Sequence, residues 1–219
     1  MLTTNSDFEI LVDFFRNGRL ISYDKGEFVV RPGSDRPGVF YVESGLVKAY
    51  DITKYGEENL LIIRKAGDIL GLTWAITGEN RHIIYEALQP STAWQVSREN
   101  FLDFVKTNPA AALPLVDMLT DMYRLHSLRI LNLEYRTVRE RLISFLLGMA
   151  QRFGKPSAEG LVISVPLRHQ DIASSINSTR ETTSREIAHL ERKGLLYNEQ
   201  LIITLKDTEK LRRYLEDVD

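Results

Sequence analysis

The sequence contains no cysteine. That absence excludes disulfides, thiolate zinc sites and cysteine-ligated iron–sulfur clusters, and it suits a reducing compartment. Long apolar runs are missing as well. No stretch approaches the roughly 18 to 20 residues of a membrane span, and the first residues lack the basic-then-apolar order of a secretory signal, so a cytoplasmic protein that makes no use of the membrane is expected. Catalytic signatures are also lacking: there is no His/Asp/Glu metal spacing, no Gly-x-Ser-x-Gly elbow, no phosphate loop ending in GK[ST] and no paired-histidine motif, so no enzyme is expected. Nor is there an excess of charge of one sign. The 28 Lys and Arg stand against 30 Asp and Glu, a net charge of −2. That balance sits uneasily with nucleic-acid binding, where phosphate neutralisation supplies much of the affinity.

What is present is enough chain, 219 residues at 43% hydrophobic, for one large or two ordinary domains. After a short amphipathic helix around Ser6 to Arg16, apolar runs are punctuated by Gly26, Pro32-Gly33, Pro37-Gly38, Ser44-Gly45, Tyr55-Gly56, Gly67-Asp68 and Gly78. Glu27 to Arg31, Val39 to Glu43, Leu46 to Asp51, Asn59 to Ile63 and His82 to Leu88 read as short strands of an antiparallel sandwich or small barrel. Helical signals return at Ser97 and again near Pro109. Leu115, Met118, Met122, Leu125, Leu128 and Leu131 then recur mostly every three or four residues, predicting a helix to about Tyr135 that is roughly 39 Å long. Such a stripe serves either as a dimer seam or as the face that packs on the β-domain. Arg129 and Asn132 interrupt it.

The last third carries the sharpest pattern. Leu167 to Lys193 reads as two short amphipathic helices joined at Asn177-Ser178, with Ile172, Ala173 and Ile176 of the first spaced to pack on Thr183, Ile187 and Leu190 of the second. That packing leaves His169, Gln170 and Ser174 as the more exposed side of the first helix, and Ser178 to Glu181 fits a capping box. Arg180, Glu181, Ser184 and Arg185 fall within an arc of about 140° on the second helix. Two arginines and a glutamate at a helix N-terminus suit guanine O6/N7 and cytosine N4 in a major groove. A helical hairpin with a solvated charged face fits the same pattern. Gly194 then ends the helix, and Leu195 to Leu205 reads as a β-hairpin, completing a winged helix-turn-helix. Arg168, His169, Arg180, Arg185, Arg192 and Lys193 gather the positive charge here. Upstream, Leu142 to Leu147 reads as the first helix of this module, Lys155 to Gly160 as a loop and Val162 to Val165 as a strand.

The run LRHQDIASSINSTRETTSREIAHLERKGLL, with RETxSR at 180 to 185, resembles the C-terminal segment of the CRP/FNR family of bacterial transcription regulators. KGEFVVRPGSDRPGVFYVESGLVKAY and IIRKAGDILG resemble the glycine-punctuated strands of its cyclic-nucleotide-binding β-roll. The resemblance implies an α+β fold of three parts: an N-terminal antiparallel β-roll that senses an effector (1–108), a long central dimerisation helix (109–136) and a C-terminal winged helix-turn-helix domain (137–219). It implies a homodimer on double-stranded DNA, with Thr179, Arg180, Glu181, Ser184, Arg185, Arg168 and Gln170 at the interface, palindromic half-sites containing GTGA or TTGA, a hinge near Tyr135 to Thr137, and RNA polymerase as a further partner. A ligand-binding module whose helix-turn-helix serves a protein partner is the alternative reading.

For the effector, the resemblance points to Gly71, Leu72, Arg81, His82, His126 and Ser127. Cyclic-AMP-binding members place a glutamate after the glycine to hold the ribose; here it is Leu72, which neither accepts nor donates, so cyclic AMP is doubtful. Arg81 is either an anion site or a surface arginine. His82, His126, His169 and His189 leave haem formally open, while an iron–sulfur cluster has no ligands. The cofactor is thus unknown.

Overall fold

The computed structural model describes residues 5–31, 33, 37–79 and 82–216. Arg81 lies outside the described residues.

The described chain divides into two compact units. One runs to Tyr55 and resumes over Leu61–Leu125; the other comprises Gly56–Leu60 and His126 onwards. The first opens with α1 (Asn5–Arg16) and contains β1 (Arg19–Tyr23), β2 (Phe28–Val30), β3 (Val39–Ser44), β4 (Leu46–Ile52), most of β5 (Glu58–Lys65), β6 (Ile69–Leu70), α2 (Leu72–Thr77), β7 (Ile84–Ala87), β8 (Ser91–Val96) and α3 (Arg98–Thr107). The strands form two four-stranded sheets, ordered β1-β8-β3-β6 and β2-β7-β4-β5. Strand alternation, with successive side chains on opposite faces, separates two cores. Phe40, Val42, Leu70 and Ala93 of the first sheet meet Val30, Val47, Ala49 and Tyr85 of the second. Val39, Tyr41, Ile69 and Val96 face the other way, onto Leu11 and Phe15 of α1 and Phe101 of α3. Lys48, between Val47 and Ala49, points away from the inter-sheet core yet is 3% exposed; its Nζ lies 3.0 Å from Glu86 Oε2, which also accepts from the Tyr50 hydroxyl.

Ser97 caps α3, accepting from the Asn100 amide, as its sequence position suggests. A 3-10 turn, Pro109–Ala111, leads into α4 (Ala112–Tyr135). Pro114 sits in the first turn of α4, where its missing N–H costs nothing. The expected stripe along α4 divides. Leu115 is buried, with Met118 packed beside it in the helical core, whereas Leu128 and Leu131 are exposed at 41% and 52%.

In the second unit, α5 (Val138–Phe153) starts with a capping box: Thr137 accepts from the Glu140 amide and Glu140 from the Thr137 amide. Its apolar face, Leu142, Ile143 and Leu146, is fully buried. The segment Lys155 to Gly160, expected as a loop, instead contributes Lys155 to Ser157 to strand β9 (Gly154–Ser157), paired with β10 (Gly160–Ile163). β9 ends the sheet ordered β11-β12-β10-β9, so Pro156 meets the usual restriction of proline to edge strands. Gly160 is obligatory: at φ +132°, a Cβ would lie 2.3 Å from the Leu205 carbonyl oxygen. The remaining elements are α6 (His169–Ser175), α7 (Arg180–Arg192), β11 (Leu196–Glu199), β12 (Ile202–Leu205) and α8 (Thr208–Glu216). No helix among the described residues is long and apolar enough to cross a membrane.

Candidate nucleic-acid interface

α6 and α7 are joined by a turn that the sequence sets up at Asn177. This residue takes φ +50°, a region asparagine tolerates better than most, and the Ser178 amide reaches back to the Ala173 carbonyl. The cap of α7 is Thr179, one residue later than the expected Ser178: its Oγ1 accepts from the Thr182 amide at 3.1 Å. Threonine at N-cap satisfies one of the free N–H groups of the first turn, as serine would have done. At the other end, the Gly194 amide bonds the Glu191 carbonyl and the Leu195 amide bonds Leu190, a Schellman closure that Gly194 permits at φ +67°.

Between those stops α7 has two faces. Thr183, Ile187 and Leu190 are at most 1% exposed and share a core with Ile172, Ala173 and Ile176 of α6. Arg180, Glu181 and Arg185 are exposed, and Ser184 is half-buried at the edge between the faces. Neither Arg180 nor Arg185 is ion-paired among the described residues; Arg185 Nη2 donates only to Thr182 Oγ1 at 3.1 Å. Gln170 is exposed on α6. Arg168 is differently placed. It precedes α6 with its Nε and Nη2 both 2.9 Å from the two Asp171 oxygens and its Nη2 3.4 Å from Glu58, which belongs to the same unit.

His169 and Ser174 are, as expected, more exposed than Ile172, Ala173 and Ile176, yet both are half-buried, and His169 proves to be the brace of the site. Its Nδ1 lies 2.8 Å from Ser184 Oγ and its Nε2 2.9 Å from Asn198 Nδ2 on β11. With the Asn198 amide donating, Nε2 accepts, so Nδ1 carries the ring proton and donates to Ser184, leaving the serine hydroxyl hydrogen for an outside acceptor. Burial, and after it the Arg180 guanidinium, lower the His169 pKa below its ordinary 6.5, which favours this neutral ring. Two further contacts escaped the sequence reading. Arg139 of α5 pairs with Glu186 at 2.7 Å, and Arg141 Nη2 donates to the Asn177 carbonyl at 3.2 Å, so α5 braces α7 and the turn. Nothing in their local spacing marks them; they depend on how three helices pack.

The effector candidates belong to other elements of the chain. Gly71, at φ +81°, starts α2, and Leu72 is 6% exposed within the cluster of Leu11 and Phe15. His82 is exposed at φ +54°. His126 is exposed and Ser127 half-buried on α4.

Two family models match the chain: a cyclic nucleotide-binding domain over residues 20–108 and a Crp-like helix-turn-helix domain over residues 140–214. The chain is 27% identical to a global nitrogen regulator of Nostoc sp. over 194 residues, 88% of this chain and 87% of that protein. It is 25% identical to electron transport regulator A of Shewanella oneidensis over 187 residues, 85% and 74% of the two chains. Among solved structures, a CooA variant from Carboxydothermus hydrogenoformans superposes with a TM-score of 0.77 at 26% identity, covering 97% of each chain. FixK2 from Bradyrhizobium japonicum shares the fold with the same score at 24% identity, covering 90% of this chain and 96% of that one.

Proposed function

The chain belongs to the CRP/FNR family of bacterial transcription regulators, and from that premise we propose that it works as a cytoplasmic homodimer that reads a palindromic site through Arg180, Glu181, Ser184 and Arg185. A small effector in the roll, other than cyclic AMP, sets the geometry of reading. The observation that carries this reading is the outer face of α7: two arginines that no carboxylate pairs among the described residues, Arg185 donating only to the neighbouring Thr182 hydroxyl, beside a serine whose hydroxyl is oriented by His169. Arginines at 180 and 185 suit guanine, Glu181 suits cytosine N4, and Thr179 and Gln170 flank them; half-sites with GTGA or TTGA fit that set. Arg168 acts through Asp171 at the start of α6, and as a phosphate contact it has to leave that carboxylate.

The dimer is supported by α4. Leu113, Val116, Tyr123, Ile130 and Leu131 are 39 to 74% exposed, and at 100° per residue they fall on the side of the helix opposite Leu115, Met118 and Met122. A second copy of the same helix covers such a stripe and gives two reading helices about one DNA turn apart. Against cyclic AMP stands Leu72, held in an apolar cluster with no acceptor to offer a ribose hydroxyl. The effector candidates Gly71, Arg81, His82, His126 and Ser127, the hinge at Tyr135 to Thr137 and contact with RNA polymerase follow from the family and belong to the same reading.

Fluorescence anisotropy tests it, with a labelled duplex carrying inverted TTGA or GTGA half-sites. The expected outcome is dimer binding that falls steeply with salt and is lost when one half-site is moved by about five base pairs, half a turn. Equal binding to a scrambled duplex would overturn the reading.

A further inference from the structure

In the roll a sulfur atom occupies a place suited to an anion. Ile62 packs on the inter-sheet core with Val47, Ala49 and Tyr85, and Arg64, two residues along β5, shares that face by strand alternation. Arg64 Nη2 donates to Met122 Sδ on α4 at 2.7 Å, and Arg64 Nε is buried with no hydrogen-bond partner. Nε–H and Nη2–H form the side-on edge of a guanidinium, the edge that grips both oxygens of a carboxylate in two parallel bonds. Half of that edge is given to a thioether, a weak acceptor, and half to nothing. No carboxylate pairs with Arg64 among the described residues. Arg64 is half-buried as a residue, whereas Lys48 of the same sheet is buried, faces away and is held by Glu86.

We propose that Arg64 anchors the effector site of the roll and that the effector is a small organic carboxylate, with one oxygen on Nε, one on Nη2 and Met122 displaced from the guanidinium. The apolar side chains beside it suit the organic body of such a ligand. A single two-donor edge suits a flat monoanionic head better than a phosphate, which seeks more donors than this edge provides. Displacement of Met122 couples occupancy to α4. The inference rests on the effector-gated reading above and adds to it the class of ligand and the residue that holds it.

The test uses the full chain in thermal-shift and calorimetric titrations with acetate, succinate and benzoate, their uncharged amides, and inorganic phosphate, at ionic strength fixed with chloride. Stabilisation by at least one carboxylate and none by its amide is expected. Arg64→Gln should bind that carboxylate at least tenfold more weakly, Arg64→Lys should recover part of the loss, and Met122→Leu, which removes the competing acceptor, should bind as well as the parent or better. The inference is overturned if carboxylates act no differently from their amides, if Arg64→Gln responds like the parent, or if phosphate binds more tightly than every carboxylate. DNA anisotropy on the same parent protein separates the two readings: DNA binding without a carboxylate response sinks only the ligand assignment, and a carboxylate response without DNA binding sinks only the reader.

Discussion

The two units treat their positive charge in opposite ways. The roll buries Lys48 and aims Arg64 at its interior, whereas the winged unit exposes Arg180 and Arg185 on one helix face and secures Arg139 and Arg168 with carboxylates. A cation in water costs little to keep and gains from any polyanion that arrives. A cation withdrawn from water has to be matched inside or by a guest. Lys48 has its match, and Arg64 has a thioether. The difference teaches what each proposed site would take: a polyanionic duplex on the exposed pair, a small carboxylate on Arg64.

The largest test of this contrast is Lys48→Ala. It leaves Glu86 facing an emptied site, and a loss of about 3 kcal/mol in urea-monitored unfolding is expected, as for breaking other buried pairs. A loss no greater than that of an exposed lysine would erase the distinction between the units. Next is Arg185→Ala, which should cost about 1 to 3 kcal/mol in DNA binding and relax the preference among half-sites, with stability nearly unchanged. Unchanged discrimination in an anisotropy series would remove Arg185 from base reading. The smallest effect concerns pH. The folded pKa of His169 is depressed, so the unfolded chain takes up the proton first, and stability falls as pH drops below about 6.5. His169→Gln should flatten that part of the stability profile, read as urea midpoints between about pH 7 and 5. A slope identical to the parent's would show that the ring titrates as if free in solution.

Much of the winged helix is written in local sequence. Asn177, the Ile172–Ala173–Ile176 spacing and Gly194 each act through backbone preference or helical period, and the structure uses all three. The cap moved from Ser178 to Thr179 because adjacent hydroxyl residues offer equivalent acceptors and the choice depends on where the turn closes. Elsewhere the local signals mislead. Lys155 to Gly160, with its proline, serine and glycine, reads as a loop because those residue types signal a turn, while the pairing of Lys155 to Ser157 with β10 depends on where the hairpin closes. β1 and β8 pair across some seventy residues of chain and show no clean alternation. Along α4, one apolar spacing fits both an inner and an outer stripe; Leu115 went in because the core with Leu11, Phe15 and Phe101 receives it, and Leu131 stayed out. Arg64 was invisible for the same reason, since its meaning lies in a buried edge and a distant methionine.

The two-faced order of α7 also constrains how such a regulator diversifies over generations. Thr183 is fully enclosed, Ser184 sits at the edge and Arg185 looks outward. A one-residue insertion or deletion between Arg180 and Ile187 would turn the two ends of the helix against each other by about 100°, so that the outer residues and the buried Ile187 and Leu190 could no longer keep their faces together. On the proposed reading, new operator preferences should therefore arise by point replacement at positions 180, 181, 184 and 185, and the length of this segment should stay fixed while the wing and the roll loops drift.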